Sequence, residues 1–394
     1  MTTPIRLHAP GIVCALGDDR ASVRDALFAG VAGTLVQDDG CSPGRVLPLG
    51  RVRAMLPPMD DLPVVQRGRN NALLRHAFAE IAPAVAAVVE RHGPDRVAVI
   101  VGTSTSGIGE AEHAVVALQR DGHWPAGFHY AQQEMGAPAK FVARLAGISG
   151  PAWTISTACS SGAKALASAA RLLQAGIVDA VVAGGADSLC RFTVGGFAAL
   201  ESVSSKRCNP FSRHREGINL GEGAALFLLE RGEGPVRLSG WGETSDAHHP
   251  SAPDPSGRGA IDAMRAALAR AGLTPAQIDY INLHGTATPQ NDAMESRAVV
   301  EVFGAGVPAS STKPLTGHAL GAAGAIEAAL CWLVLADNPD RRLPPNFWDG
   351  AADPELPALA LVAPGQAAGT PPRHVISNSF AFGGSNVALA LSRA

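Results

Sequence analysis

Cys159 lies in Trp153-Thr154-Ile155-Ser156-Thr157-Ala158-Cys159-Ser160-Ser161-Gly162-Ala163-Lys164-Ala165-Leu166, where an apolar run passes through small residues directly into an alanine-rich stretch. This pattern places the cysteine at a strand-to-helix turn. There, unpaired N–H groups and the positive end of the helix dipole favour a thiolate, and a tight turn exposes the sulfur. Nucleophilic catalysis is the chemistry this permits; a small buried filler is the other common use of a free cysteine, and partner residues must decide between them. Two of the twelve histidines supply such partners, each in a glycine-flanked turn after an apolar or small-residue run. His284 stands in Asn282-Leu283-His284-Gly285-Thr286-Ala287-Thr288-Pro289, and His318 in Thr316-Gly317-His318-Ala319-Leu320-Gly321. Lysine occurs only at 140, 164, 206 and 313, and Lys313 lies five residues before His318 with Glu327 nine after it. A buried pair of that kind is expected to hold an imidazole in one tautomer. Near the C-terminus, Ser379-Phe380-Ala381-Phe382-Gly383-Gly384-Ser385 offers backbone amides for half of an oxyanion hole, the other half coming from the amide of Cys159. The alternative for that turn is a tight β-turn with core aromatics.

The elements that must carry these residues alternate along the chain. Short β-rich runs at Val97–Val101, Trp153–Ile155, Ala180–Val182, Tyr280–Leu283 and His374–Ile376 are separated by helical stretches at Ala72–Arg91, Ala163–Ala175, Ala260–Ala271 and Ala323–Ala336. Such alternation predicts sheets covered by helices, and strands apolar on both faces predict sheets buried on both sides. Two segments echo each other: an apolar run ending in Gly102-Thr103-Ser104-Thr105, and another ending in Gly285-Thr286-Ala287-Thr288. The openings Arg6-Leu7-His8-Ala9-Pro10-Gly11 and Arg237-Leu238-Ser239-Gly240-Trp241-Gly242 also match, so a whole α/β unit is duplicated, with the active site expected where the halves meet. The join falls near Glu233-Gly234-Pro235, giving halves 1–234 and 235–394. Ala247–Gly259 and Leu343–Gly365 are expected to be surface loops.

A chain of 394 residues needs more than one core, and its 46% hydrophobic and 17% charged composition suits a compact enzyme. With net charge −3 and no basic stripe, a nucleic-acid partner is not expected. Six scattered cysteines without CxxC pairs imply a reducing, cytoplasmic setting and no metal site. Met1-Thr2-Thr3-Pro4-Ile5-Arg6 carries no charged-then-apolar leader, and the apolar stretch Leu166–Ala183 is broken by Arg171 and Asp179, so neither a signal peptide nor a membrane span is expected. The Gly317, Gly321, Gly324 spacing lacks the dinucleotide fingerprint and fits close helix packing better.

These residues, in this order and spacing, resemble the β-ketoacyl-acyl carrier protein synthases of the thiolase superfamily, in the elongating, FabF-like branch. The resemblance rests on Thr157-Ala158-Cys159, His284-Gly285-Thr286-Ala287-Thr288-Pro289 with Asn291-Asp292 and Glu295, Lys313 through Gly317-His318 to Gly324, and Asn378-Ser379-Phe380 with Phe382-Gly383-Gly384. It implies an α/β thiolase-like fold of two duplicated halves in a five-layer αβαβα sandwich, and a dimer of two like chains or of this chain with a related ketosynthase-like subunit. It further implies a Cys159–His284–His318 triad, with Lys313 and Glu327 in support. The backbone amide of Phe382 would join the oxyanion hole, and Thr286 and Thr288 would hold the pantetheine arm beside Phe380 and Gly383. The reaction implied is a decarboxylative condensation of an acyl-enzyme with malonyl-acyl carrier protein. No cofactor is implied, since substrates arrive on the phosphopantetheine of the carrier protein.

The resemblance also places Ser104 and Ile108, together with His129 and Gln133, along the acyl pocket near the dimer interface. A pocket of that polarity is expected to suit an unsaturated or aryl chain, and Cys208-Asn209-Pro210-Phe211-Ser212 is similar to ketosynthases of aryl-polyene pathways. Arg67, Arg69, Lys206 and Arg207 are candidates for docking an acidic carrier protein. Ala381 and Ser385 replace a usual glycine and threonine in the gating turn, which bears on how freely Phe382 swings. A degradative thiolase would need a second cysteine in that turn, and a starter-type synthase an asparagine in place of His318. A chain-length-factor-like partner subunit, which shapes a tunnel without catalysing, typically loses the nucleophile retained here.

Overall fold

The computed structural model describes residues 3–30 and 33–394; Met1 and Thr2, the first residues of the stretch inspected for a leader, lie outside them. The first half contributes strands β1 (Ile5–Leu7), β2 (Gly11–Val13), β5 (Val97–Gly102), β6 (Ala152–Ile155), β7 (Ala180–Asp187) and β8 (Gly223–Arg231), with a separate antiparallel pair, β3 (Val36–Asp38) and β4 (Leu47–Leu49). The second half contributes β9 (Val236–Ser245), β10 (Tyr280–Asn282), β11 (Pro308–Ser310), β12 (Ala360–Leu361), β13 (His374–Ala381) and β14 (Ser385–Arg393). Hydrogen bonding runs β6-β5-β7-β8 with both β1 and β2 on β8, and the second half repeats it as β11-β10-β13-β14-β9, with β12 added at the edge. In each half the first three strands of that order are parallel and the strands after them join antiparallel. The duplicated openings, β1 and β9, pair with each other through Arg6 with Arg237 and Leu7 with Val236. The two sheets are thereby joined into one twelve-stranded sheet, eleven strands along one path with β2 beside it on β8, and β8 passes to β9 through only four residues, 232–235.

Among the described residues ten α-helices follow in order: α1 (Arg20–Ala29), α2 (Arg69–His92), α3 (Ile108–Asp121), α4 (Ala137–Leu145), α5 (Ser161–Gln174), α6 (Arg191–Ala199), α7 (Arg258–Ala271), α8 (Pro289–Phe303), the single turn α9 (Lys313–Thr316) and α10 (Ala323–Ala336). α5 and α10 pack on each other and on strands of both sheets, forming the central layer. The sequence of α10 suits that place: Ala323 to Leu335 is buried on every side, and all of it is apolar or glycine except Glu327, which is paired with Lys313. α2 and α4 cover the outer face of the first sheet, and α7 with α8 the outer face of the second, which completes the αβαβα sandwich. α2 is long and apolar enough to cross a membrane, yet Leu73, Leu74, Ala77, Ile81, Val85 and Val88 are buried in the first-half core and the helix rests on β2, β7 and β8. The close approach of α5 to α10 depends on glycine. A Cβ on Gly162 would lie 2.8 Å from Ala325 N and 2.9 Å from Gly321 O.

Candidate active site

β6 ends at Ile155 and α5 begins at Ser161, so the connecting turn presents Cys159 above the N-terminus of a central-layer helix. Ala158 adopts φ 51°, a left-handed conformation costly for any residue with a Cβ and a mark of turns held for function. Hydroxyls hold it there. Ser161 Oγ donates to Ala158 O at 2.6 Å and accepts from Thr157 N at 2.9 Å, while Ser160 Oγ donates to Thr157 O at 2.7 Å. The sulfur is not the ready thiolate that the helix terminus by itself favours. Burial pushes the Cys159 thiol up to about 12, with the Lys313 charge and the Phe382 amide pulling the other way, so the resting group is a thiol.

Both histidines reach this sulfur from the second half. His318 Nε2 lies 3.0 Å from Cys159 Sγ, and the ligating atoms of Cys159, His284 and His318 all fall within 4.8 Å of one another. The two rings meet edge to face with centroids 5.3 Å apart, and Phe380 stands edge-on to His284 at 6.2 Å. Each imidazole is carried by a pinned loop. His318 donates its backbone N–H to Asn219 O at 2.7 Å and accepts from Gly221 N at 3.0 Å, fastening the loop to the first half. The amides of His284 and Gly285 both donate to Glu295, from α8, at 2.7 Å, while that of Ala287 donates to Asp292 at 3.1 Å. Burial, followed by the nearby Lys313 charge, holds both imidazoles well below the usual histidine range, so they are neutral near pH 7. Lys313 Nζ pairs with Glu327 Oε1 at 2.5 Å, with side-chain exposures of 1% and 3%. Neither bonds to a histidine ring: among the described residues the buried Nδ1 atoms of His284 and His318 find no partner, so the pair acts on the rings through its field rather than by fixing a tautomer. That field also disfavours a cation in the trio, whose sulfur and nitrogen, at 3.0 Å, sit closer than the roughly 3.5 Å implied by tetrahedral zinc bond lengths.

The turn after β13 closes the site. The Phe382 amide faces the Cys159 sulfur and its ring packs at 5.5 Å on Phe197 of α6. Gly383 takes φ 81° and is exposed; the hydroxyls of Ser385 and Ser160 lie within hydrogen-bond distance at 3.0 Å, joining this turn to the nucleophile turn. Together these elements enclose a cavity of about 290 Å³ lined by Cys159, both histidines, Thr286, Thr288, Phe380 and Phe382. Thr286 and Thr288 share a hydroxyl bond of 3.0 Å along its wall. The Ala247–Gly259 loop, expected to be a plain surface connection, contributes His249, Ser251, Ala252 and Pro253 to the same cavity, and α6 with its flank contributes Phe197 and Leu200. The loop is tied to the Phe382 turn, since Gly383 N donates to Pro250 O at 2.7 Å and Asp246 N to Gly384 O at 2.8 Å. Its only sequence signal was the adjacent pair His248-His249 within a proline-rich run.

Residues 79–234 match the family described as beta-ketoacyl synthase, N-terminal domain, and residues 236–346 match beta-ketoacyl synthase, C-terminal domain. A 3-oxoacyl-[acyl-carrier-protein] synthase 2 of Synechocystis is 33% identical over 325 residues, covering 78% of this chain and 77% of that protein. The chain belongs to the β-ketoacyl synthase family. The synthase 2 of Rhizobium meliloti is 39% identical over 263 residues, 62% of this chain and 61% of the relative. Among solved structures, a chain from the complex of the ketosynthase ApeO with its chain length factor ApeC, from Xenorhabdus doucetiae, superposes with TM-score 0.94 at 46% identity, covering 100% of this chain and 98% of that one. The ishigamide ketosynthase/chain length factor gives TM-score 0.89 at 25% identity over the full length of both chains.

Within this β-ketoacyl synthase, Ser104, Ile108, His129 and Gln133, expected along an acyl pocket near a dimer interface, lie outside the cavity over Cys159. The Ser104 amide donates to the buried Asp187, at 2.8 and 3.0 Å, and Ile108 opens α3. His129 is exposed and caps a local turn through Ala131 N and Gln132 Oε1. Arg69 is held by Glu222 at 2.5 and 2.7 Å, and Arg67 is bound to the carbonyls of Asp60 and Leu62. Lys206 and Arg207 are exposed on a surface groove, with the Arg207 guanidinium 5.3 Å over the Phe347 ring.

Proposed function

We propose that the chain condenses a Cys159-bound acyl group with a malonyl unit carried on acyl carrier protein, with loss of carbon dioxide. The observation that carries this is the 3.0 Å contact between a neutral imidazole and a buried thiol at the floor of one cavity, with a second imidazole beside it. When an acyl thioester enters, the Cys159 proton passes to His318 Nε2 as sulfur attacks the carbonyl. The amides of Cys159 and Phe382 hold the developing oxyanion, and the proton leaves with the departing pantetheine thiol. A malonyl thioester then enters. His318, which held its own proton on Nδ1 during acylation, exchanges it through solvent to Nε2, and both neutral rings then donate from Nε2 to the thioester oxygen, so carbon dioxide departs while the electron pair remains as an enolate. The enolate carbon attacks the acyl carbonyl, the C–S bond to Cys159 breaks, and the thiolate takes up one proton from solvent, the proton that the overall reaction consumes. Thr286 and Thr288 line the path of the pantetheine arm, and Lys206 and Arg207 are placed to meet an acidic carrier protein.

The partner in this reading is a related ketosynthase-like subunit, supported by the likeness to chains of two ketosynthase/chain length factor assemblies. The acyl chain is unsaturated or aryl, supported by the Cys208–Ser212 resemblance. Six free cysteines support a cytoplasmic location. A purely structural, chain-length-factor-like role is disfavoured by the retained nucleophile and both histidines. Incubating the purified chain with acyl- and radiolabelled malonyl-carrier protein tests the proposal: labelled β-ketoacyl product is expected from the native chain and none from Cys159→Ala. Equal product from both would refute it, and preferential turnover of saturated primers would refute the chain type.

A further inference from the structure

The cavity mouth carries one histidine that the condensation does not use. His249 is exposed, lines the cavity, and accepts the Ser251 N–H on Nδ1 at 3.1 Å. A neutral imidazole accepting on Nδ1 carries its proton on Nε2, so this ring presents one committed donor at the solvent edge. The loop beneath it is fixed on both sides. Asp246 accepts from Asn386 Nδ2 at 2.6 Å and from Asp254 N at 3.1 Å, while Pro250 O accepts from Gly383 N at 2.7 Å. Pinned loops of this kind position a recognising group rather than merely connect elements.

We propose that His249 Nε2–H binds the phosphate at the outer end of the phosphopantetheine arm, setting the depth at which the thioester reaches Cys159. This rests on the function proposed above. The depth order supports it: Cys159 lies at the floor, 5% exposed, Thr286 and Thr288 along the wall, and His249 at the rim, matching an arm whose thioester is innermost and whose phosphate is outermost. His249 is a positioning residue here, since it touches the arm and not the reacting atoms.

The test compares three acyl thioesters on the full chain, with any co-purifying subunit: phosphopantetheine, pantetheine without phosphate, and N-acetylcysteamine. For His249→Ala we expect kcat/KM on the phosphopantetheine thioester to fall about tenfold through KM, as for one lost charge-assisted hydrogen bond, with the other two within about twofold of the native chain. His249→Phe, which keeps a ring but no donor, is expected to behave the same way and replaces the alanine variant if that one does not fold. An equal loss on all three thioesters would mean a structural role, a loss shared by both pantetheine forms would place the contact on the amides, and no loss would mean no contact; each overturns the proposal. Acylation of Cys159 in the native chain by the N-acetylcysteamine thioester reports on the parent reading separately, and failure there overturns both.

Discussion

Lys313 and Glu327 form an ion pair with almost no access to water, set among the sulfur and imidazoles it influences. Breaking such a pair on one side leaves an uncompensated buried charge, at a cost of roughly 3–5 kcal/mol, whereas replacing both partners by apolar groups costs far less. Urea unfolding of Lys313→Met is therefore expected to show that loss, and Lys313→Met with Glu327→Leu to recover most of it. A single variant within about 1 kcal/mol of native would show the pair to be dispensable. At this scale the reactive trio was legible in the sequence, because a cysteine between a strand and a helix and two histidines in glycine-flanked turns each constrain their own geometry. Arg69 was not, since Glu222, which holds it, lies 153 positions away and nothing local marks the pair. His249 was hidden for the opposite reason: a proline-rich run looks like any surface connection until its fold against Gly383 is known.

At the scale of elements, the site depends on how closely α5 and α10 approach, since one presents Cys159 at its N-terminus and the other follows directly after the His318 loop. Gly162 sets that distance, with Ala325 N and Gly321 O both inside 3.0 Å of where a Cβ would stand. Gly162→Ala is expected to lose about 1–3 kcal/mol of stability in urea unfolding, as overpacked sites do, and to slow acylation of Cys159 as the helices part. Native stability and rate would show that the layer has slack. The alternation of apolar strands and alanine-rich helices made this layered arrangement legible, and the repeated openings at Arg6 and Arg237 made the duplication legible. That those openings pair with each other was not, because register between distant strands leaves no periodic trace. The two-residue strand β12, inside the expected Leu343–Gly365 loop, is too short to carry a pattern.

The whole molecule adds a pH dependence that is separate from its chemistry. Glu230 on β8 gathers Arg6 of β1 and His8 just after it with Arg91 from the end of α2, at 2.5, 2.8 and 3.0 Å. Burial pushes its carboxyl up, but the bonds from His8 and Arg6 outweigh this and hold it down at about 2. A depressed carboxylate stabilises the fold fully above its unfolded value near 4.5, and that contribution is lost as pH falls toward 2. The stability gap between the native chain and Glu230→Gln, of order 2–3 kcal/mol, is thus expected to stay level above about pH 5 and to shrink as pH falls below the unfolded value; a gap that widens on acidification would contradict this. None of this touches the claim on which the function stands, that two halves of a duplicated chain bring one thiol and two neutral imidazoles into a single cavity. Intact-protein mass spectrometry of the acyl adduct, before and after malonyl-carrier protein is added, tests it most directly. The account predicts an adduct on Cys159 that the native chain discharges. His284→Ala should load it but discharge it about 100-fold or more slowly, and His318→Ala should be slow at both steps. An adduct on another cysteine, or discharge by His284→Ala at the native rate, would contradict it.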